Sequence, residues 1–375
     1  MIKRSLKIAF VHNYYIHYRV PLFELLAEKY NVTFFFDSIH SYISRISRKI
    51  KFKIPFNIHV KGEAIPLSLW YHLIKGKFNM VIAGDAINLS TIMAFFIAKL
   101  LRKPFILWEE RWFWTNSLIN NLRWPFVRII SLKADALIVP GSRSEKLYEK
   151  IGVNKNKIFI APNASYIEIS NYHKKVADKL KEDLKLEGKI VILYLGRIIK
   201  TKGVHILLKA FRELLKDRKN LFLIIAGEAN PEYLIELYNI SNELGLNTSN
   251  LYILGFIPPE KRGIYFELSD IVVYPSISYD AWGLVINEAM CLGKPVIATL
   301  KCGGAYDLIL DGVNGFKVPA GDVKALYETL KKLIDDPELI EIFGSNSRKI
   351  ILQKFTYKHM LRGFTEAINS TLFKE

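Results

Sequence analysis

The chain has 375 residues, 50% of them apolar, with 53 Lys and Arg against 36 Asp and Glu and a formal net charge of +17. That length exceeds what one hydrophobic core usually supports, so two domains of about 170 residues are expected. Two cysteines, Cys291 and Cys302, exclude a disulfide framework, fit a reducing cytosol, and make no metal-ligand spacing with the histidines. The basic excess is uneven: residues 1–170 hold 25 Lys and Arg against 11 Asp and Glu, and residues 171–375 hold 28 against 25. A polyanionic partner for the first half is one reading, nucleic acid or an anionic membrane surface; a generally lysine-rich proteome is the other. The apolar run after Met1–Lys7 ends within a few residues, so no signal peptide is expected. The longest apolar run, Ile92–Leu101, is broken by Lys99 and is too short to span a bilayer, so a cytoplasmic location is expected.

In chain order, Leu6–Val11 reads as a strand, Pro21–Lys29 as a helix with Leu22, Leu25 and Leu26 on one side, and Val32–Phe36 as a second strand. No G-x-G-x-x-G follows the first strand, which argues against a dinucleotide oxidoreductase; His12 stands there instead, at the strand's carboxyl end. Ser41–Lys53 mixes Ile and Tyr with Arg and Lys, as a basic amphipathic helix on a membrane surface would, or as a solvated loop would. Phe78–Ala83 is a strand ending at Gly84–Asp85, Leu89–Leu101 a mostly buried helix, and PFILW a strand ending in Glu109–Glu110. Three tryptophans then follow in a basic context within RWFWTNSLINNLRWPFVR. Ala136–Val139 and Lys157–Ala161 complete about six strand–helix units of a doubly wound sheet. Residues 166–189, polar and lysine-rich, read as an interdomain connection.

The second half restarts with the apolar strand Ile190–Leu195 and continues through Leu221–Ala226, Leu251–Leu254, Ile271–Tyr274, Pro295–Ala298 and Gly315–Val318. After its first strand comes GRIIKTKG, residues 196–203. Gly196 permits close backbone approach, Arg197 offers a fork of donors that matches diphosphate oxygens, and Lys202 adds a point charge before a helix. After Ile271–Tyr274, Pro275 closes the strand, a polar loop runs to Trp282, and Gly283 turns the chain into the helix Leu284–Leu292. Asp280 and Glu288, spaced Asp-x7-Glu, then flank a helix amino terminus whose free N–H groups favour phosphate. Carboxylates in that position suit sugar hydroxyls; a capping acid and a solvated helical Glu would give the same spacing.

The segment resembles the nucleotide-sugar site of family 4 glycosyltransferases, whose signature is E-x-F-G-L-x-x-x-E-A-M, then G-x-P-V-I-A, G-G and D-G-x-N-G. Here these read DAWGLVINEAM, GKPVIA, CGGAYDLI and DGVNG, with Asp280 replacing the first Glu; GRIIKTKG resembles the family's G-R-x-x-x-x-K-G. The resemblance implies the α/β GT-B fold: two Rossmann-like doubly wound domains facing across a cleft, at 1–168 and 169–345, with helices in 346–375 returning to the first. It implies a retaining, metal-independent hexosyl transfer from a nucleoside-diphosphate sugar to an acceptor hydroxyl of a glycan or polyprenyl-linked glycan, as in polysaccharide biosynthesis, with no cofactor. Arg197, Lys202 and backbone N–H groups near Gly283, Leu284 and Val285 would stabilise the leaving diphosphate. Glu288 would accept from the ribose and Asp280 from the transferred sugar, with Gly196 and Trp282 in the donor-binding set and Gly255, Phe256 and Ile257 reading the base. In the first domain the family often carries a glycine-rich loop and a His; here the loop is absent and Glu110 falls at the His position, six residues beyond Pro104. Glu110 is the catalytic candidate there, with a salt bridge to Arg111 or Arg143 as the alternative, and His12, Asp85 and Glu109 line the acceptor side. Two other readings stay open: a GT-B nucleotide-sugar epimerase and a non-catalytic basic nucleic-acid-binding protein. No nucleic-acid-binding motif supports the second, so nucleic acid is not the expected partner, whereas an anionic membrane surface is.

Overall fold

Most strands of this chain are apolar on both sides, a pattern that is buried only when helices cover both faces of a parallel sheet. The computed structural model describes residues 5–39, 47–60, 63–114 and 118–372. It divides the chain into two units, Met1–Ala164 with Tyr357–Glu375, and Ser165–Thr356.

The first unit is built on β1 (Lys7–Tyr15), β2 (Asn31–Ile39), β3 (Phe52–Lys53), a small antiparallel pair β4 (Ile58–Val60) and β5 (Glu63–Ile65), β6 (Met80–Gly84), β7 (Phe105–Trp108), β8 (Ala136–Val139) and β9 (Ile158–Ile160). The large sheet is parallel, in the order β3-β2-β1-β6-β7-β8-β9. Alternation sorts its side chains. Ile8, Phe10, Phe34, Met80 and Ile106 pack under the helices Val20–Lys29 and Tyr357–Leu372. Ala9, Val11, Phe35, Val81 and Leu107 pack under Leu69–Lys75, Leu89–Leu100 and Leu118–Lys133. The last helix lies so close to β9 that a Cβ on Gly363 would stand 2.3 Å from the carbonyl oxygen of Ile160.

The second unit carries β10 (Ile190–Leu195), β11 (Leu221–Ala226), β12 (Leu251–Leu254), β13 (Ile271–Tyr274), β14 (Val296–Thr299) and β15 (Gly315–Val318). They form a parallel sheet in the order β12-β11-β10-β13-β14-β15. The order reverses between β10 and β13, as it does between β1 and β6 in the first unit. In open α/β sheets the loops at the carboxyl ends of such strand pairs are where ligands bind.

Four segments differ from the sequence reading. β1 continues past Val11 through Tyr15 because β2 also runs on and supplies partners, His12 opposite Phe36 and Tyr14 opposite Ser38. The 166–189 connection contains a helix, Asn171–Asp183, started by a reciprocal cap in which Ser170 and His173 satisfy each other's backbone N–H. Of the basic stretch Ser41–Lys53, residues 41–46 lie outside the described residues, and Phe52–Lys53 is a strand paired with β2 rather than helix. The C-terminal stretch is two helices, and the first, Pro337–Lys354, belongs to the second unit, so the chain passes to the first unit only at Tyr357.

Candidate functional site

The loops after β10 and β13 are pressed together at the switch point of the second sheet. Gly203 has φ +69°, and a Cβ there would stand 2.1 Å from the carbonyl oxygen of Pro275. Backbone bonds join the two loops, Ile277 N–H and Ser278 N–H both donating to Thr201 O at 2.9 and 3.2 Å. From below, the Tyr194 hydroxyl donates to Arg197 O at 2.6 Å, and the Arg197 side chain stands exposed.

This close approach decides the environment of Lys202. Sequence reading made it a point charge before a helix; it is only 8% exposed and ion-paired to Asp280. Tyr274 completes a triangle, its hydroxyl donating to Asp280 Oδ2 at 2.9 Å and lying 3.3 Å from Lys202 Nζ. Burial, and then the negative Asp280, push the Tyr274 phenol well above its usual range, so it stays a donor. Asp280 is held by its backbone as well, N–H to Lys301 O and C=O from Gly303 N–H, both at 2.9 Å.

Gly283, at φ +80°, caps the helix Leu284–Cys291, where Leu284 and Val285 are partly exposed. Trp282 is buried, its indole N–H donating to Asn287 Oδ1 at 2.8 Å while its carbonyl accepts from Cys302 Sγ, so it anchors the loop. Glu288 is 4% exposed. It accepts from the Ser165 hydroxyl at 2.8 Å and from Arg262 Nη1 at 3.3 and 3.4 Å. Burial raises its pKa, against the pull of Arg262 and Ser165. Arg262 opens the helix Arg262–Leu268 just beyond the Gly255–Ile257 loop, in which Phe256 is exposed and Ile257 buried. Gly255 O accepts from Gly227 N–H at 3.1 Å.

Sequence reasoning missed Ser165 and Arg262. Arg262 had a signal, a cation starting a helix in PPEKRG; Ser165 had none, since its contact with Glu288 bridges 123 residues.

In the first unit the candidates fall into two groups. Asp85, just after β6, has φ +63° and an ion pair of 3.2 Å to Arg111. Beside it Glu109, buried, accepts from Ala86 N–H at 3.0 Å and Arg111 N–H at 3.3 Å. Burial first and then Glu109 raise the Asp85 pKa. The second group centres on Arg19, which sequence reading overlooked. It is buried, ion-paired to Glu110, donating to Asn163 Oδ1 at 2.7 Å, with its guanidinium 4.5 Å from the Trp108 ring centre. Glu110's partner is therefore Arg19 rather than Arg111 or Arg143, because β1 and β7 flank β6 in a parallel sheet and the chain leaves both at the same end, which brings together two residues 91 positions apart in sequence. His12 sits 5.1 Å from the Trp108 ring, and burial and Arg19 lower its pKa to about 3, so it is neutral. Its Nδ1 lies 3.3 Å from Tyr14 N–H. Among the described residues no group of three or more His, Cys, Asp or Glu gathers as a metal ion would require.

Residues 176–350 match the family model described as Glycosyl transferases group 1. Part of the chain is 26% identical to the lipopolysaccharide 1,2-N-acetylglucosaminetransferase of Salmonella typhimurium, over 63% of this chain and 62% of that protein. It is 29% identical to CapM, a capsular polysaccharide biosynthesis glycosyltransferase of Staphylococcus aureus, over 63% of this chain and 55% of that protein. The chain thus spans somewhat over half the length of these two relatives. Over 97% of its length the fold matches Anabaena HepE, covered in full and solved with UDP and with UDP-glucose, at TM-scores of 0.82 and 0.79 and 20% identity.

Proposed function

We propose that the chain, whose residues 176–350 match the glycosyl transferases group 1 model and whose two parallel-sheet units have the GT-B fold, is a retaining glycosyltransferase. It moves a sugar from a nucleoside-diphosphate donor to a hydroxyl of a glycan or lipid-linked glycan, of the polysaccharide or lipopolysaccharide type. The observation that carries this reading is the Lys202–Asp280–Tyr274 triangle, pinned at the switch point beside the exposed Arg197 and the helix start at Gly283.

In this reading the donor diphosphate takes Arg197 and the N–H groups of Leu284 and Val285, and Lys202 turns its charge from Asp280 alone to the phosphate. As the bond from the anomeric carbon to the β-phosphate oxygen breaks, its electron pair stays on that oxygen, where these preorganised donors meet it. The acceptor oxygen bonds to the anomeric carbon, and its proton leaves with the diphosphate or to solvent. Asp280, fixed by its backbone, accepts from a hydroxyl of the transferred sugar. Glu288, aimed by Arg262 and Ser165, accepts from the ribose. HepE's UDP complexes and the polysaccharide and lipopolysaccharide enzymes among the relatives support a uridine donor and a glycan acceptor. On the acceptor side, Glu110 would orient the hydroxyl, with its ion pair to Arg19 aligning it.

The test is release of free nucleoside diphosphate from a panel of uridine and guanosine diphosphate sugars, with and without bacterial glycan acceptors. Release that depends on acceptor is expected. Interconversion of the nucleotide sugar with no acceptor present would overturn the reading in favour of an epimerase.

A further inference from the structure

We propose that the first unit docks on an anionic lipid bilayer through the outer sides of three neighbouring helices, Leu69–Lys75, Leu89–Leu100 and Leu118–Lys133. All three bury their inner sides in one core on one face of the sheet, through Leu69 and Leu73, Phe95 and Ala98, and Val127 and Ile130. They lie side by side, the second touching both the others, so their outer sides point away from the sheet together. Soluble helices normally make that side polar. Here it is apolar at helical spacing: Phe96 and Leu100 on the second helix, Leu122, Phe126 and Ile129 on the third, Trp70 and Ile74 on the first. Leu100 and Leu122 are 77% and 76% exposed, far beyond ordinary scattered surface apolar residues. Phe56, 68% exposed, extends the patch, its backbone bonded to Ser68 at the start of the first helix.

The charge of the patch selects the occupant. None of the three helices contains an Asp or Glu. Exposed Lys75, Lys77, Arg102, Arg128 and Lys133 stand on these helices or just after them. The one acid just beyond them, Asp135, is paired to Lys99 at 2.9 Å, which leaves a net cationic ring. Apolar side chains ringed by an excess of cations suit acyl chains beneath anionic headgroups; a protein partner would have to be acidic and apolar at once. This surface differs from the one expected from sequence. Trp108 is a core residue on the other face of the sheet, and Trp114 and Trp124 pack on each other, ring centres 4.6 Å apart and tilted by 57°, against the core beneath these helices, so the tryptophan-rich stretch is largely internal packing. The apolar side chains at the surface come instead from Leu89–Leu100, whose sequence reads as a mostly buried helix, and from two helices that the sequence reading did not name.

Co-sedimentation of the full chain with vesicles of about one-third phosphatidylglycerol in phosphatidylcholine tests the inference. Binding is expected at low salt, weakened by high salt and absent from pure phosphatidylcholine. The triple variant Phe96→Ser, Leu100→Ser, Leu122→Ser should lower the bound fraction at least about fivefold, since it removes the apolar insertion and keeps every charge. Arg102→Glu with Arg128→Glu should do so at low salt only. Melting temperature and acceptor-dependent turnover on a soluble acceptor should stay unchanged in both, which separates failure of docking from failure of the proposed transferase reading. No binding to anionic vesicles at low salt would overturn the proposal, as would binding indifferent to the triple variant. A wild-type dimer in solution that the triple variant dissolves, with no vesicle binding, would overturn it in favour of a protein interface.

Discussion

The two sheets end in opposite ways at their switch points. In the second unit the loops after β10 and β13 are fixed mainly by backbone, through Gly203 against Pro275 and Thr201 against Ile277 and Ser278; of their cations Arg197 stands exposed while Lys202 is buried against Asp280. In the first unit the loops after β1, β6 and β7 are fixed mainly by charged side chains, Arg19 with Glu110 and Asn163, Arg111 with Asp85. A backbone-fixed loop keeps its shape when a side chain is exchanged, so its cations are available for a ligand. A loop fixed by buried ions loses its shape with the ion, because an unpartnered buried charge is costly. Exposed Arg197 should therefore report in activity alone, whereas the buried ion pairs, Lys202 with Asp280 as well as Arg19 with Glu110, should report in stability too.

The largest expected effect is in the second unit. Arg197→Ala and Lys202→Ala should each cost about 2–4 kcal/mol of transition-state stabilisation, as losing one oxyanion donor does, the fold persisting in both but Lys202→Ala also losing stability because it leaves Asp280 unpartnered. Initial rates of acceptor-dependent diphosphate release, alongside circular dichroism, measure this. Near-wild-type turnover in either variant would remove the diphosphate assignment.

Next comes the first unit, where Arg19→Met should lower folding stability by about 2–3 kcal/mol, leaving Glu110 and Asn163 without their donor. Urea unfolding reads this directly. A variant as stable as wild type but inactive would erase the contrast between the two units and make Arg19 a ligand-binding cation.

Glu288→Gln should weaken nucleotide binding by about 1–2 kcal/mol whether or not a sugar is attached, since its proposed partner is ribose. Isothermal titration with nucleoside diphosphate and with the matching sugar donor distinguishes the cases. Weakening confined to the sugar-bearing donor would exchange its role with that of Asp280.

The smallest effect is the pH response of His12. Its imidazole takes up a proton near 6.5 in the unfolded chain but only near 3 in the folded one. Between those values the unfolded state binds more protons, so this contribution to stability is present above about pH 6.5 and is lost as pH falls toward 3. His12→Gln should therefore lose about 1–2 kcal/mol less than wild type between neutral and about pH 5, seen as a smaller drop in melting temperature. Equal acid sensitivity in the two proteins would show that Arg19 and the Trp108 pocket do not hold the imidazole neutral.

Much of the fold was legible because its strands are short apolar runs closed by Gly or Pro. Ile190–Leu195, Leu221–Ala226, Leu251–Leu254, Ile271–Tyr274 and Gly315–Val318 have in the structure the bounds their composition suggests. The motif residues were legible for a local reason, since Gly196, Gly203 and Gly283 each stand where a side chain would meet a neighbour closer than normal contact or force the backbone. The alternation of apolar residues and the glycine punctuation thus determined the parallel sheets and the two loops at the second switch point. Tertiary structure alone decided the pairings across distance. Nothing in the sequence near Glu110 indicates Arg19, nothing near Glu288 indicates Ser165, and a Lys202 beside Asp280 needs two loops 78 positions apart to meet. It also decided which apolar side chains stay outside: Leu100 and Phe95 lie on one helix, and only the direction of the sheet beneath makes one core and the other surface. Periodicity is a property of a segment and partnership a property of packing, so the first can be read along the chain and the second only across it.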